Sequence, residues 1–167
     1  AFLLLIRSGE SSTGQGAYAM LWGGSHFADF SDHPRIYFQT PDGRKTSAAG
    51  AYQITATTWD ALRRQLSLPD FSPASQDKAA IALIKGRGAL ADVIGGRFER
   101  AILKCQKEWT SLPGAQEAQY GMAEARRRCL LPAKWSMFAS RRPRRALRAV
   151  PCFARLRSLR RPLYADL

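Results

Sequence analysis

The chain has 167 residues, 46% hydrophobic and 10% aromatic, which suits one domain with a buried core and excludes a wholly disordered chain. No apolar run approaches the roughly 20 residues that span a bilayer, and residues 2–6 are too short even for the apolar part of a signal peptide. The formal charge of +13 points to a polyanionic partner only until it is divided along the chain. Residues 1–124 carry 13 basic and 12 acidic groups, whereas residues 125–167 carry 13 basic groups and Asp166 alone. The sequence therefore reads as a nearly neutral domain over 1–124 and an Arg/Pro-rich tail over 125–167. Because the chain opens with Ala1 rather than Met, its natural start is expected to lie upstream.

In chain order, residues 2–6 read as the last turns of a buried helix. Gly9 is its expected terminator, because glycine takes the left-handed conformation that closes helices. Residues 11–16 read as a polar loop, and two turn-rich segments follow, Trp22-Gly23-Gly24 and residues 29–34. The β-prone run 36–40 ends on Pro41-Asp42-Gly43, a strong turn signal, and residues 44–48 complete a hairpin. The next predicted helix, 54–66, sets Trp59, Leu62 and Leu66 on one face. In the following helix Ser72 is the cap, Pro73 the first helical position, and Ile81, Leu83 and Ile84 the apolar body. A short helix over 89–94 is cut by Gly95-Gly96. Residues 97–109 then align Phe98, Ala101, Ile102, Cys105 and Trp109 on the clearest amphipathic stripe in the chain. Helices around one small hairpin make an α+β domain.

Cys105, Cys129 and Cys152 show no CxxC or Cys/His spacing, so neither a disulfide framework nor a metal site is indicated, and no cofactor is expected. Cys105 reads as a reduced core residue and the other two fall in the basic tail. Glu10 is a lone acid at a helix end behind an apolar run. A carboxyl group beside packed apolar side chains is desolvated, which raises its pKa as a general acid requires. The alternative is a solvated helix-end residue, and position alone favours it. The second acid of the region, Asp32, lies in Ser31-Asp32-His33-Pro34 and reads as a turn former.

The ordered series Ser8-Gly9-Glu10-Ser11-Ser12, Gly23-Gly24, Ser31-Asp32-His33-Pro34 and Ala49-Gly50-Ala51-Tyr52-Gln53 resembles the lambda-type phage endolysins. Asp70-Phe71-Ser72-Pro73, Ser75-Gln76-Asp77, Arg87-Gly88-Ala89-Leu90 and Trp109-Thr110-Ser111-Leu112-Pro113-Gly114-Ala115 continue the pattern in the same order, to about residue 121. The resemblance implies a lysozyme-like fold and a peptidoglycan lytic transglycosylase, which cuts the MurNAc–GlcNAc bond without adding water. It makes Glu10 the catalytic glutamate. Protonated Glu10 would donate to the glycosidic oxygen, and its carboxylate would then take the proton of the sugar's C6 hydroxyl as a 1,6-anhydro ring closes. No second carboxylate is needed for that route and none is obvious. Were Asp32 to face Glu10 across the cleft, hydrolysis by a muramidase would return as the alternative.

The same resemblance implies a role for Gly50-Ala51-Tyr52-Gln53, similar to the Gly-x-x-Gln element that lines the cleft of lysozyme-like enzymes. Gln53 would hydrogen-bond a sugar amide or hydroxyl, and Tyr52 would either offer a face to a pyranose ring or pack in the core. Tyr120-Gly121 matches a Tyr-Gly on the opposite lip, with Met122 in place of a polar residue. Tyr18 and His33 are further candidate glycan contacts, with turn or packing roles as alternatives, and Trp59 and Trp109 read as core. The implied partner is the glycan strand of peptidoglycan, bound by a monomer. That monomer would be made in a bacterial host's cytoplasm and exported through a holin-type lesion to the periplasm.

The pattern stops where the charge begins. Glu124 is followed by Arg126-Arg127-Arg128 and then by Arg-rich sequence that Pro132, Pro143, Pro151 and Pro162 bar from forming one long helix. Two readings follow. One is a reading-frame shift near residue 122, which leaves an irregular or disordered tail in place of the family's closing helix. The other is a genuine cationic tail that contacts anionic outer-membrane lipid. Such a tail binds any polyanion in a salt-dependent way, and the body has no nucleic-acid-binding signature, so no specific nucleic acid is expected. An inactive wall-binding protein is the remaining alternative.

Overall fold

The computed structural model describes residues 1–130. Most of the Arg/Pro-rich tail, with Cys152, lies outside the described residues. The first helix, α1 (Phe2–Glu10), buries Phe2, Leu5 and Ile6 on one stripe. Gly9 does not end it. The helix continues to Glu10, and the Ser11 N–H closes it on the Arg7 carbonyl at 2.8 Å. Gly9 serves close packing instead: a Cβ there would lie 2.5 Å from Ser111 Oγ, on a loop far along the chain. After α1, the segment expected to be a polar loop gives way to a 3-10 helix, Gln15–Ala19, which buries Ala17 and Tyr18.

The hairpin forms as expected but is shorter. β1 (Phe38–Gln39) pairs antiparallel with β2 (Lys45–Thr46), Phe38 opposite Thr46. Ile36 and Tyr37 are exposed, so their β propensity finds no packing partner that would extend the strand. The return strand leads into residue 49, which bridges both Leu21 and Ile54. Those bridges delay α2 (Ala56–Leu66) by two residues relative to the predicted start. Thr55 caps it by accepting from the Thr58 N–H. Trp59 and Leu62 are buried, whereas Leu66, expected on the same face, lies past the core and is exposed.

α3 (Pro73–Gly86) starts as predicted, with Ser72 accepting from the Ser75 N–H and Pro73 in the first turn. Ile84 is buried and Ile81 is exposed. α4 (Leu90–Ile94) leads to α5 (Phe98–Cys105), which stops four residues short of the predicted end. There the N–H groups of Glu108 and Trp109 both return to the Cys105 carbonyl and turn the chain. The amphipathic stripe survives the turn: Ala101, Ile102, Cys105 and Trp109 are all buried. Cys105 is a free core thiol, and burial pushes its pKa up to about 11.

α6 (Met122–Leu130) runs straight through the boundary expected at residue 124 and contacts α1 and α5. Ala125 and Cys129 are its buried residues, so Cys129 belongs to the core rather than to the tail. Among the described residues no helix is long and apolar enough to cross a membrane.

One side chain on α3 crosslinks three separate segments of the fold. Gln76 is fully buried. Its Oε1 accepts from the Ala51 N–H at 2.9 Å, and its Nε2 donates to the carbonyls of Tyr18 (3.0 Å) and Phe71 (2.8 Å). Gly50 makes room for it. Its φ is +78°, and a Cβ there would collide with the Gln76 amide. Gln76→Ala leaves one buried N–H and two buried carbonyls unpaired, at about 1–3 kcal/mol for each unsatisfied group. Urea titration should show a loss of about 3 kcal/mol or more. A loss below about 1 kcal/mol would mean that these groups find other partners.

Candidate active site

Three segments converge on the end of α1. Ser11, just past the helix, donates from Oγ to the Ala51 carbonyl at 2.9 Å, which docks the turn 50–53 beside Glu10. Trp109 Nε1 donates to the Tyr52 carbonyl at 3.2 Å, which ties the same turn to the loop after α5. That loop is folded on itself by the Gln119 N–H on the Ser111 carbonyl (3.0 Å) and the Glu117 N–H on the Thr110 carbonyl (3.0 Å). It delivers Ser111, which is buried, to Glu10: Oγ donates to Glu10 Oε1 at 2.5 Å.

Glu10 is half-buried, and its carboxyl has a raised pKa. Loss of solvation by burial is the main cause. Hydrogen bonds from the side chain and backbone of Ser111 oppose it by favouring the charged form, and the negative charge of exposed Glu117 reinforces it. Position alone favoured a solvated residue at this helix end. The tertiary fold overrides that by folding the 109–120 loop over the carboxyl.

Asp32 has the opposite environment. Burial pulls its pKa up, but donors to the carboxylate outweigh that and hold it down to about 2. They are Trp59 Nε1 (2.8 Å), the His33 N–H (2.8 Å) and Arg35 Nη2 (3.1 Å), with Arg63 Nη1 at 3.0 Å. A carboxylate so fully engaged is a poor proton acceptor, and its work is to lock the 31–35 turn onto α2.

The remaining candidates divide sharply. Tyr52 is 1% exposed and its hydroxyl donates to Asp77 Oδ1 at 2.5 Å, so it offers no ring face to a sugar. Burial, followed by the Asp77 bond and charge, raises its pKa. Tyr18 is buried on the same carboxylate oxygen at 2.9 Å, with the Arg7 guanidinium donating to its hydroxyl and lying 4.5 Å over its ring. Both tyrosines take the packing alternative. His33 is buried edge-on to Phe71. Its Nε2–H donates to the Ile54 carbonyl at 2.9 Å while Nδ1 accepts from the Arg35 N–H, which defines a neutral ring. Burial lowers its pKa, consistent with that state.

Gln53 is half-buried in the left-handed region (φ +48°), and its amide donates to the Gly50 carbonyl at 2.9 Å. Tyr120 is half-buried beside Gly9 and donates to the Leu5 carbonyl at 2.9 Å. The structure sets Ser111 and Tyr120 beside the end of α1, holds the Gln53 amide on the Gly50 and Met20 carbonyls, and buries Tyr18, Tyr52 and His33. Ser111 was inside a sequence motif but carried no expected role. Nothing in a linear pattern marks it as the partner of a residue 101 positions away. Among the described residues no group of His, Cys, Asp or Glu could hold a metal ion.

Residues 1–133 match the family described as Endolysin. The chain belongs to the endolysin family. It is 43% identical over 113 residues to the endolysin of Escherichia phage lambda, covering 68% of this chain and 72% of that one. It is 49% identical over 98 residues to the endolysin of Escherichia phage P2, covering 56% of this chain and 59% of that protein. A solved structure of bacteriophage lambda lysozyme complexed with a chitohexasaccharide is similar with a TM-score of 0.69 at 38% identity. That likeness covers 77% of this chain and 88% of the solved one. A second lambda lysozyme structure gives 0.66 at 37% identity, over 77% and 86%. The lysozyme-like α+β fold and the kinship with lambda-type phage endolysins are thereby established. With them comes the broad activity of a glycosidic-bond-cleaving, peptidoglycan-degrading enzyme.

Removing the Ser111 hydroxyl takes away a bond that favours charged Glu10, so Ser111→Ala raises the Glu10 pKa further. A group acting as an acid loses activity as pH rises through its pKa. The falling alkaline limb of the kcat/KM profile should therefore move to higher pH in Ser111→Ala. An unmoved limb would separate Ser111 from the titration.

Proposed function

We propose that the chain is a lytic transglycosylase, in which Glu10 acts first as acid and then as base on the MurNAc–GlcNAc bond of peptidoglycan. The observation that carries this reading is the pair Glu10–Ser111: a carboxyl whose pKa burial raises, in hydrogen-bond contact with a hydroxyl that stabilises the anion once the proton has left. Protonated Glu10 donates to the glycosidic oxygen as the C1–O bond breaks through an oxocarbenium-like state. The C6 hydroxyl oxygen of the same MurNAc attacks C1, and its proton passes to the Glu10 carboxylate. The acid is thereby regenerated, and the product carries a 1,6-anhydro ring with no water consumed.

An internal nucleophile asks for no second base. Asp32, the acid that would have argued for hydrolysis, is spent on Trp59, Arg35 and Arg63. Glycan binding has support from the relative solved with a chitohexasaccharide. Gln53, in the turn that Ser11 docks, and Tyr120, beside Gly9, are the residues proposed to meet the sugar. Action in the periplasm on the wall of a bacterial host, after synthesis in its cytoplasm, follows from the same reading. Hydrolysis keeps one observation in its favour. Glu117 lies near enough for its charge to act on Glu10, and an exposed carboxylate there could activate water.

Mass analysis of the products released from purified peptidoglycan decides between the two. Anhydro-muropeptides, one water lighter than reducing ends, are expected from the parent, and Glu10→Gln should release at least about 100-fold less, the scale of a lost general acid. Reducing ends would make the enzyme a hydrolase. Equal release by Glu10→Gln would remove Glu10 from the chemistry.

The same variant tests the burial of Glu10 without any substrate. Its folded pKa lies above the ordinary value of 4.5, so the protonated form folds better than the charged form. The Glu10 contribution to stability is therefore fully present below the unfolded pKa and is lost as pH rises through the folded one. The amide that replaces the carboxyl does not titrate, so the Tm of Glu10→Gln minus that of the parent should grow as pH rises above the ordinary value of 4.5. A flat difference would mean that Glu10 is solvated.

A further inference from the structure

We infer that Arg128 is a positioning residue for the reaction at Glu10, acting from α6 through Tyr120 and Ser8. The inference rests on the reading of Glu10 as the acid. It concerns a residue in the arginine run that the charge boundary had set apart from the enzyme.

The three arginines of that run make different contacts. Arg127 turns back on its own helix and pairs with Glu124. Arg126 reaches Glu99 on α5 at 3.5 Å, with both side chains largely exposed. Arg128 is steadied by Glu124 at 3.0 Å, one turn earlier, and spends the rest of its guanidinium on the catalytic side. Nη1 donates to Ser8 Oγ at 3.1 Å, and the guanidinium carbon lies 4.5 Å over the centre of the Tyr120 ring. Both partners hold the last turn of α1. Ser8 Oγ donates to the Leu5 carbonyl at 2.7 Å, and the Tyr120 hydroxyl donates to that same carbonyl at 2.9 Å. The space a Cβ on Gly9 would fill is bounded by Ser111 on one side and the Tyr120 hydroxyl on the other.

Glu10 is the last residue of its helix, and terminal turns fray unless something outside the helix holds them. Ser111 fixes the carboxyl itself, while Arg128 fixes the turn that carries it. Displacing a reacting group by a fraction of an ångström lowers the rate without changing how the distant parts of a substrate bind. A planar, stacked and hydrogen-bonded guanidinium suits this task, and an ammonium does not replace it.

The test uses full-length protein and counts total muropeptide release from purified peptidoglycan, whichever product forms. Arg128→Ala should lower kcat about tenfold with KM within about twofold of the parent. Arg127→Ala, on the same helix and in the same charge run, should match the parent. In a Tyr120→Leu background, Arg128→Ala should cost clearly less than it does in the parent, because one of the two residues through which it acts is gone. Arg128→Lys, which keeps the charge, should recover only part of the loss. The proposal is overturned if Arg128→Ala and Arg127→Ala have equal kcat, if the Arg128 and Tyr120 losses simply multiply, or if Arg128→Lys is indistinguishable from the parent. Should Arg128→Ala not fold, the Lys variant carries the test alone on the same criterion. An active Glu10→Gln in the same assay would instead sink the reading of Glu10, whatever the Arg128–Tyr120 cycle shows.

Discussion

The buried amide of Gln76 is the constraint on which the placement of the 50–53 turn depends. One side chain, with no access to solvent, satisfies backbone groups from the 3-10 helix, the turn after the hairpin and the segment before α3. An amide in that position is worth little if paired and costs several kcal/mol if not, so it penalises every arrangement except one. Gly50 is part of the same constraint, because only a residue without Cβ lets the turn approach the amide. Asp77, the next residue along, gathers the hydroxyls of Tyr18 and Tyr52 onto one oxygen. Two adjacent polar residues on one helix therefore place the turn 50–53, and with it the floor beside Glu10.

Against that floor, Glu10 is tuned by two opposed effects. Burial makes its charge expensive, and Ser111 makes the charge bearable. The role proposed for Glu10, giving a proton and taking one back, draws on both. The contrast with Asp32 is instructive, since it is the same functional group at a nearby point of the sequence. Surrounded by an indole N–H, a backbone N–H and two guanidinium groups, it is held as a permanent anion and serves as an anchor. Chemistry and architecture are separated by the donors each carboxyl meets.

The division of charge at residue 124 has a different meaning in three dimensions from the one it has along the chain. The net charge does rise there, yet α6 carries its buried residues, Ala125 and Cys129, past the boundary, and the family match runs to residue 133. A charge count weighs exposed side chains, whereas a helix is kept in a fold by its buried stripe. Three arginines on the exposed face do not remove α6 from the domain, and one of them reaches the turn that bears Glu10.

Much was legible from the residues alone wherever the physics is local. The hairpin followed from Pro41-Asp42-Gly43, the start of α3 from Ser72-Pro73, and the α5 stripe from its spacing. The ordered motifs led to the family. Local rules failed where a distant contact took precedence. Gly9 looked like a helix end and is a packing site for Ser111. The Ile36–Tyr37 strand had nothing to lie on. Tyr18, Tyr52 and His33 carried ring chemistry suited to a sugar, but their polar atoms were claimed by Asp77 and the Ile54 carbonyl inside the core. Sequence by itself determined which residue types were available and in what order. Only the tertiary structure decided which of them are buried and paired, because burial and hydrogen-bond pairing are properties of segments far apart in the chain and meet only when it folds.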